Sequence, residues 1–135
     1  MNKVKNIFIV DDDSIYQFTM KLTLRALDNI GEVNFFNDGL EAIDYIKANS
    51  NNPEKLPDII FLDINMPVMD GYQFIEEYQE LKTTLDKKIA IYMLSSSIDP
   101  IDTKKVEQIS DVSDYLIKPL MEDILNSIIH AKKEN

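Results

Sequence analysis

A chain of 135 residues is the length of one domain, long enough to bury roughly two thirds of the surface its unfolded form exposes. A hydrophobic fraction of 44% argues against disorder, and the lack of cysteine excludes a disulfide framework and thiolate metal sites. Acidic residues outnumber basic ones 24 to 14, leaving a net charge of −10 that repels nucleic-acid phosphates and anionic lipid, so neither is expected as a partner. No stretch approaches the ~20 apolar residues of a membrane span and nothing at the N-terminus reads as a signal peptide, which makes the cytoplasm the expected location.

Short apolar runs alternate with helical periods. Ile7-Phe8-Ile9-Val10 is continuously apolar and stops at three aspartates, the pattern of a strand buried on both faces. Ile15, Phe18, Leu22 and Ala26 recur at helical spacing behind Ser14 as N-cap, with Gly31 as the stop. Glu32 to Phe36 alternates polar and apolar like an edge strand, and Asn37-Asp38-Gly39 is a turn. Ala42, Ile43 and Ile46 predict a short second helix, followed by a polar loop from Asn49 to Pro53.

Ile59 to Leu62 is the third strand, ended by Asp63, and Ile64 to Gly71 is a loop. Ile75, Tyr78, Leu81 and Leu85 mark the inner face of the third helix. Ile89 to Leu94 is the fourth strand, followed by three serines, and Asp99-Pro100 opens the fourth helix as N-cap and first-turn proline. Tyr115-Leu116-Ile117 is the fifth strand, and Met121, Ile124 and Ile128 mark the last helix. Five strand–helix repeats call for a parallel sheet covered by helices on both sides. Right-handed crossovers leave few topologies, among them the flavodoxin-like doubly wound order 2-1-3-4-5.

The conspicuous polar residues fall at the carboxyl ends of strands: Asp11, Asp12 and Asp13 after the first, Asp63 after the third, Ser95 after the fourth and Lys118 after the fifth. Ligands of open parallel sheets bind there. Clustered carboxylates need a counter-charge, and a hard divalent cation supplies one. A metal, an ammonium and a hydroxyl are also the parts phosphoryl transfer requires, and a carboxylate can serve as its nucleophile.

Val10 to Asp13, Phe61 to Gly71, Met93-Leu94-Ser95 and Tyr115 to Pro119, in that order and spacing, resemble the receiver domain of two-component response regulators over essentially the whole chain. The resemblance implies a single receiver domain, 1–135, with Asp63 as phosphoacceptor. It implies Mg²⁺ as cofactor, held by Asp11, Asp12, Asp63 and the backbone carbonyl of Asn65, with Ser95 and Lys118 contacting the phosphoryl group. Ser95 and Tyr115 would form the switch, and Asn65 and Ser97 would tune self-dephosphorylation. The donor would be a histidine kinase or histidine phosphotransfer protein. With no effector domain expected, the output would pass through the face of the fourth helix, fifth strand and fifth helix to a separate protein, or to a second copy in a homodimer. Ser95 stands where Thr is commoner, and Ser96 where a smaller residue is usual, which narrows access to the phosphoryl group.

Two other readings compete. Ile9 to Ser14 also fits the hydrophobic Asp-x-Asp signature of haloacid-dehalogenase-like phosphatases, with Ser95 and Lys118 resembling later motifs. That reading lacks a paired acidic motif at a later strand end and leaves Asp63 to Gly71 unexplained. The other is a receiver fold that takes no phosphate and acts only as an interaction module, although all five site positions are chemically competent. A flavodoxin is excluded, because three aspartates after the first strand would repel a phosphate.

Overall fold

The computed structural model describes residues 4–96 and 99–130. They form β1 (Lys5–Val10), α1 (Ser14–Arg25), β2 (Ile30–Phe36), α2 (Gly39–Ala48), β3 (Ile59–Asp63), α3 (Gly71–Leu81), β4 (Ala90–Ser95), α4 (Pro100–Glu107), β5 (Val112–Ile117) and α5 (Glu122–Ile129). All strand pairs are parallel and the order is β2-β1-β3-β4-β5, the expected doubly wound α/β arrangement. Position in the sheet explains the strand sequences. Central β1 and β3 carry apolar residues on both faces, whereas β2 and β5 are rims and keep polar residues.

The sheet separates two apolar layers. Phe8, Val10, Ile60 and Leu62 pack with Ala42, Ile43 and Ile46 of α2, Phe74, Ile75 and Tyr78 of α3, and Val106 of α4. On the opposite side Ile7, Ile9, Ile59 and Phe61 pack with Tyr16, Met20 and Leu24 of α1 and with Leu125 and Ile129 of α5. Complete burial of a large apolar side chain stabilises by roughly 1.5–3 kcal/mol, so these layers fix the register that sets the strand tips level with one another.

Two helices turn a different face inward from the one the periodicity predicts. Ile15 and Phe18 of α1 are 76% and 61% exposed, and Leu22 and Ala26 are also exposed, while Tyr16, Met20 and Leu24 make the core contacts. In α5, Ile124 and Met121 are exposed and Ile128 only half-buried, and Leu125 and Ile129 are buried instead. Both helices carry two apolar stripes, so spacing alone does not choose between them. The N-cap of α1 is Asp13, whose carboxylate accepts from the backbone N–H groups of Ile15 and Tyr16, and not Ser14. Gly31 does not stop α1, which ends at Arg25; it lies within β2, where an added Cβ would strike the Asn6 side chain. Asp99 caps α4 as expected, accepting from Ile101 N–H, with Pro100 in the first turn.

The start of α3 is fixed by contact with the site strand. Gly71 N–H donates to the Ile64 carbonyl at 2.9 Å. A Cβ on Gly71 would lie 2.7 Å from the Asp63 carbonyl oxygen and 2.9 Å from the Met93 methyl. Gly71→Ala is therefore expected to lower stability by about 1–3 kcal/mol, read from the midpoint of a urea unfolding curve. An unchanged midpoint would mean that the β3–α3 junction yields without strain.

Candidate functional site

Three strand ends and the segment after the fifth strand meet at one edge of the sheet. At the tip of β1, Asp11 N–H donates to the Phe36 carbonyl, and the Asp11 carboxylate accepts from Asp13 N–H at 2.9 Å. The last residue of β3 is Asp63; the next N–H, of Ile64, donates to the Leu94 carbonyl, and Asp63 Oδ1 takes a long 3.4 Å contact from Asn65 N–H. The buried end of β4 is Ser95, whose carbonyl accepts from Lys118 N–H at 2.8 Å. From there the Lys118 ammonium reaches Asp11 Oδ2 at 2.9 Å and Asp63 Oδ2 at 3.6 Å. Asp11 and Asp63 are only 2% and 7% exposed, and Asp12 beside them is exposed.

Charge is crowded here. Burial, then the Asp11 carboxylate, push the Asp63 carboxyl from its usual 3.8 up to about 6, against the opposing pull of Lys118. Asp11 is also raised, by burial first, although the Lys118 hydrogen bond resists. Burial works to lower Lys118, but its hydrogen bond and attraction to Asp11, with Asp63 beyond, outweigh burial and hold it above the ordinary lysine value. Asp11, Asp12 and Asp63 each offer an oxygen within 4.8 Å of the others. Three carboxylates face one ammonium, and every donor is a hard oxygen, so the cluster fits a hard divalent cation such as Mg²⁺ and not a thiophilic metal.

The family model of the response regulator receiver domain matches residues 7–130. This chain is a member of that family. A two-component response regulator from Cytophaga hutchinsonii superposes with a TM-score of 0.84 at 30% identity, covering 94% of this chain and 95% of that one. The transcriptional regulatory protein PrrA of Mycobacterium leprae is 32% identical over 85% of this chain and 44% of its own length. The sensor histidine kinase CheAY of Helicobacter pylori is 28% identical over 91% of this chain and 14% of its own length. The chain thus spans less than half of either of these two curated relatives.

In this receiver, Asp11, Asp12, Asp63 and Lys118 lie together, with Ser95 buried at the neighbouring strand tip. Asn65 is exposed on the loop after β3, and Tyr115 is half-buried against the α2–α4 layer. Ser97 lies outside the described residues. Two participants escaped the sequence reading. Gln17 Nε2 donates to the Asp11 carbonyl at 2.6 Å, and also meets the Phe36 carbonyl and Asn37 Oδ1, tying the tips of β1 and β2 to α1. The Tyr16 ring lies 4.8 Å from the Lys118 ammonium, and burial, then Asp11, raise its phenol. A second apolar stripe starting at Tyr16 was the available signal.

In this receiver without metal, ionised Asp63 works against folding. A carboxyl raised in the folded state contributes stability that is fully present below pH ~4 and is lost as pH rises through about 6. Each pKa unit is worth about 1.4 kcal/mol, so Asp63→Asn should be more stable than the native chain at pH 7.5 by on the order of 1–3 kcal/mol. The gain should vanish near pH 4, and Mg²⁺ should stabilise the native chain more than the variant. Thermal melts in chelator and in Mg²⁺ at both pH values check this; a variant less stable at pH 7.5 in chelator contradicts it.

Proposed function

We propose that the chain is a single receiver domain acting in the cytoplasm as a phosphorylatable signalling switch, with Asp63 as phosphoacceptor and a histidine kinase or histidine phosphotransfer protein as donor. The observation that carries this reading is the 3.6 Å approach of Lys118 Nζ to Asp63 Oδ2 inside a carboxylate cluster.

An Asp63 carboxylate oxygen attacks phosphorus in line, the P–N bond of the phosphohistidine breaks, and its electron pair returns to the imidazole. With its carboxyl titrating near 6, Asp63 is mostly ionised at neutral pH and ready to act as nucleophile. Lys118 sits between Asp11 and Asp63, placed to pair with a phosphoryl oxygen, and the Ser95 hydroxyl supplies a further hydrogen bond. Asp11, Asp12, Asp63 and the Asn65 carbonyl would hold Mg²⁺, which would supply the positive charge that offsets an incoming phosphoryl group. The same residues make acyl-phosphate formation and hydrolysis the protein's own chemistry, with Asn65 and Ser97 setting how readily water reaches the phosphorus.

Output runs through α4, β5 and α5. Ser95 moves toward the acyl phosphate, Tyr115 fills the space it leaves, and the face changes shape, a shift between two states that the phosphoryl group's differential contacts drive. Two features support this. First, α4 buries only Val106 and is tied to α3 through Tyr72, whose hydroxyl donates to Asp102 at 2.6 Å and whose ring lies 3.9 Å from the Lys105 ammonium. Second, Ile101, Ile117, Met121 and Ile124 are exposed apolar residues on this face, suited to a partner protein or to a second copy. A phosphatase built on Asp11 and Asp13 finds less support, because the Asp13 carboxylate is engaged in capping α1.

Incubation with acetyl phosphate and Mg²⁺ should add one phosphoryl group by intact-mass measurement, and Asp63→Asn should abolish it. Chelation should suppress it in the native chain. An unchanged mass with acetyl phosphate and with a phosphorylated histidine phosphotransfer protein would reduce the molecule to an interaction module.

A further inference from the structure

Away from the carboxylates, a groove runs between α1 and the rim strand β2. Its larger part, about 330 Å³, has an apolar floor of Leu27, Ile30, Val33 and Phe35. A second hollow of about 220 Å³ adjoins it, sharing Lys21 and Phe35 and bordered by Phe18. Lys21 and Arg25 stand along the α1 wall.

Three features of this groove suit it to a partner. Lys21 and Arg25 are exposed, and neither forms an ion pair among the described residues, although the chain carries 24 acidic side chains. They are four residues apart on one helix face, where like charges repel. Arg25 in the last turn is favoured by the helix dipole, but Lys21 in the middle of α1 is not. In addition, β2 pairs only with β1, so its outer backbone groups have no ladder partner among the described residues. Open rims of this kind accept an added strand.

We propose that this groove binds an extended acidic–apolar segment of a partner protein, laid alongside β2. Alternate side chains of an added strand point to the same side, so apolar ones would enter the floor over Val33 and Phe35. Carboxylates two residues along, on that same side, would meet Lys21 and Arg25. β2 is seven residues long, and every other one turns its backbone groups outward. A second copy of this chain is a poorer occupant, because two molecules of charge −10 repel. The inference needs no phosphoryl chemistry and stands apart from the function proposed for Asp63.

The test is an amide-resolved NMR titration of the full chain with a synthetic peptide of about ten residues whose every second position is in turn Glu, Val, Glu and Phe, with Thr between them. A counterpart with Lys in place of each Glu serves as the control. The glutamate peptide should shift the amides of β2 and of the Lys21–Arg25 stretch saturably, and protect outer β2 amides from exchange. The double variant Lys21→Glu, Arg25→Glu should bind it at least about ten-fold more weakly and should instead prefer the lysine peptide. Circular dichroism of the variant establishes that it folds. Equal binding of both peptides to the native chain, shifts confined to other surfaces, or no saturable shift would overturn the proposal. So would a concentration-dependent dimer of the native chain that the double variant abolishes, because that assigns the groove to a second copy.

Discussion

A single ammonium, Lys118, holds together two buried carboxylates that would otherwise repel each other. It lies 2.9 Å from Asp11 and 3.6 Å from Asp63, and 107 residues of chain separate it from Asp11. One positive charge does not neutralise Asp11, Asp12 and Asp63 in a partly dehydrated edge of the sheet, where burial first and Asp11 second raise the Asp63 carboxyl. A site left short of positive charge attracts a cation, and a cation in turn admits a phosphoryl group. The chemistry proposed for this receiver follows from that imbalance more than from any single residue.

The parallel sheet is what makes the imbalance sustainable. Residues Ile7–Val10 pair with Ile59–Leu62, and Ile59–Asp63 with Ala90–Leu94, so the polar residues after each run emerge level with one another. The surrounding contacts are close. Gly71 leaves no space beside the Asp63 carbonyl, Gln17 clamps the Asp11 backbone, and the Tyr16 ring lies beside the lysine. The α4 side is looser, since that helix contributes one buried side chain. A rigid strand edge joined to a weakly anchored helix is the arrangement a two-state switch needs.

Much of this was legible in the sequence, for identifiable reasons. Continuous apolar runs that stop at Asp11 and Asp63 announce buried parallel strands and, at the same positions, the site. The Phe61 to Gly71 stretch carries most of the family resemblance. The inner faces of α1 and α5 differ from the periodic reading because Ile15, Phe18 and Leu22 compete with Tyr16, Met20 and Leu24 at the same spacing, and only packing against the sheet decides between them. Gly31 reads as a helix stop by composition, yet its small size serves a contact with Asn6 across the β1–β2 pair, which no local pattern encodes. Gln17 and Tyr16 act through tertiary contacts alone, and the groove beside β2 exists only once α1 has chosen its face.

The central claim is that the strand tips form a charge-deficient pocket in which Lys118 is shared between Asp11 and the acceptor. A crystal structure grown with Mg²⁺ and beryllofluoride tests it most directly. The account predicts the fluoride adduct on Asp63, density for a cation among Asp11, Asp12 and Asp63, and the lysine ammonium swung from Asp11 onto a fluorine. An adduct absent from Asp63, or a cation bound elsewhere while Lys118 stays on Asp11, would contradict it.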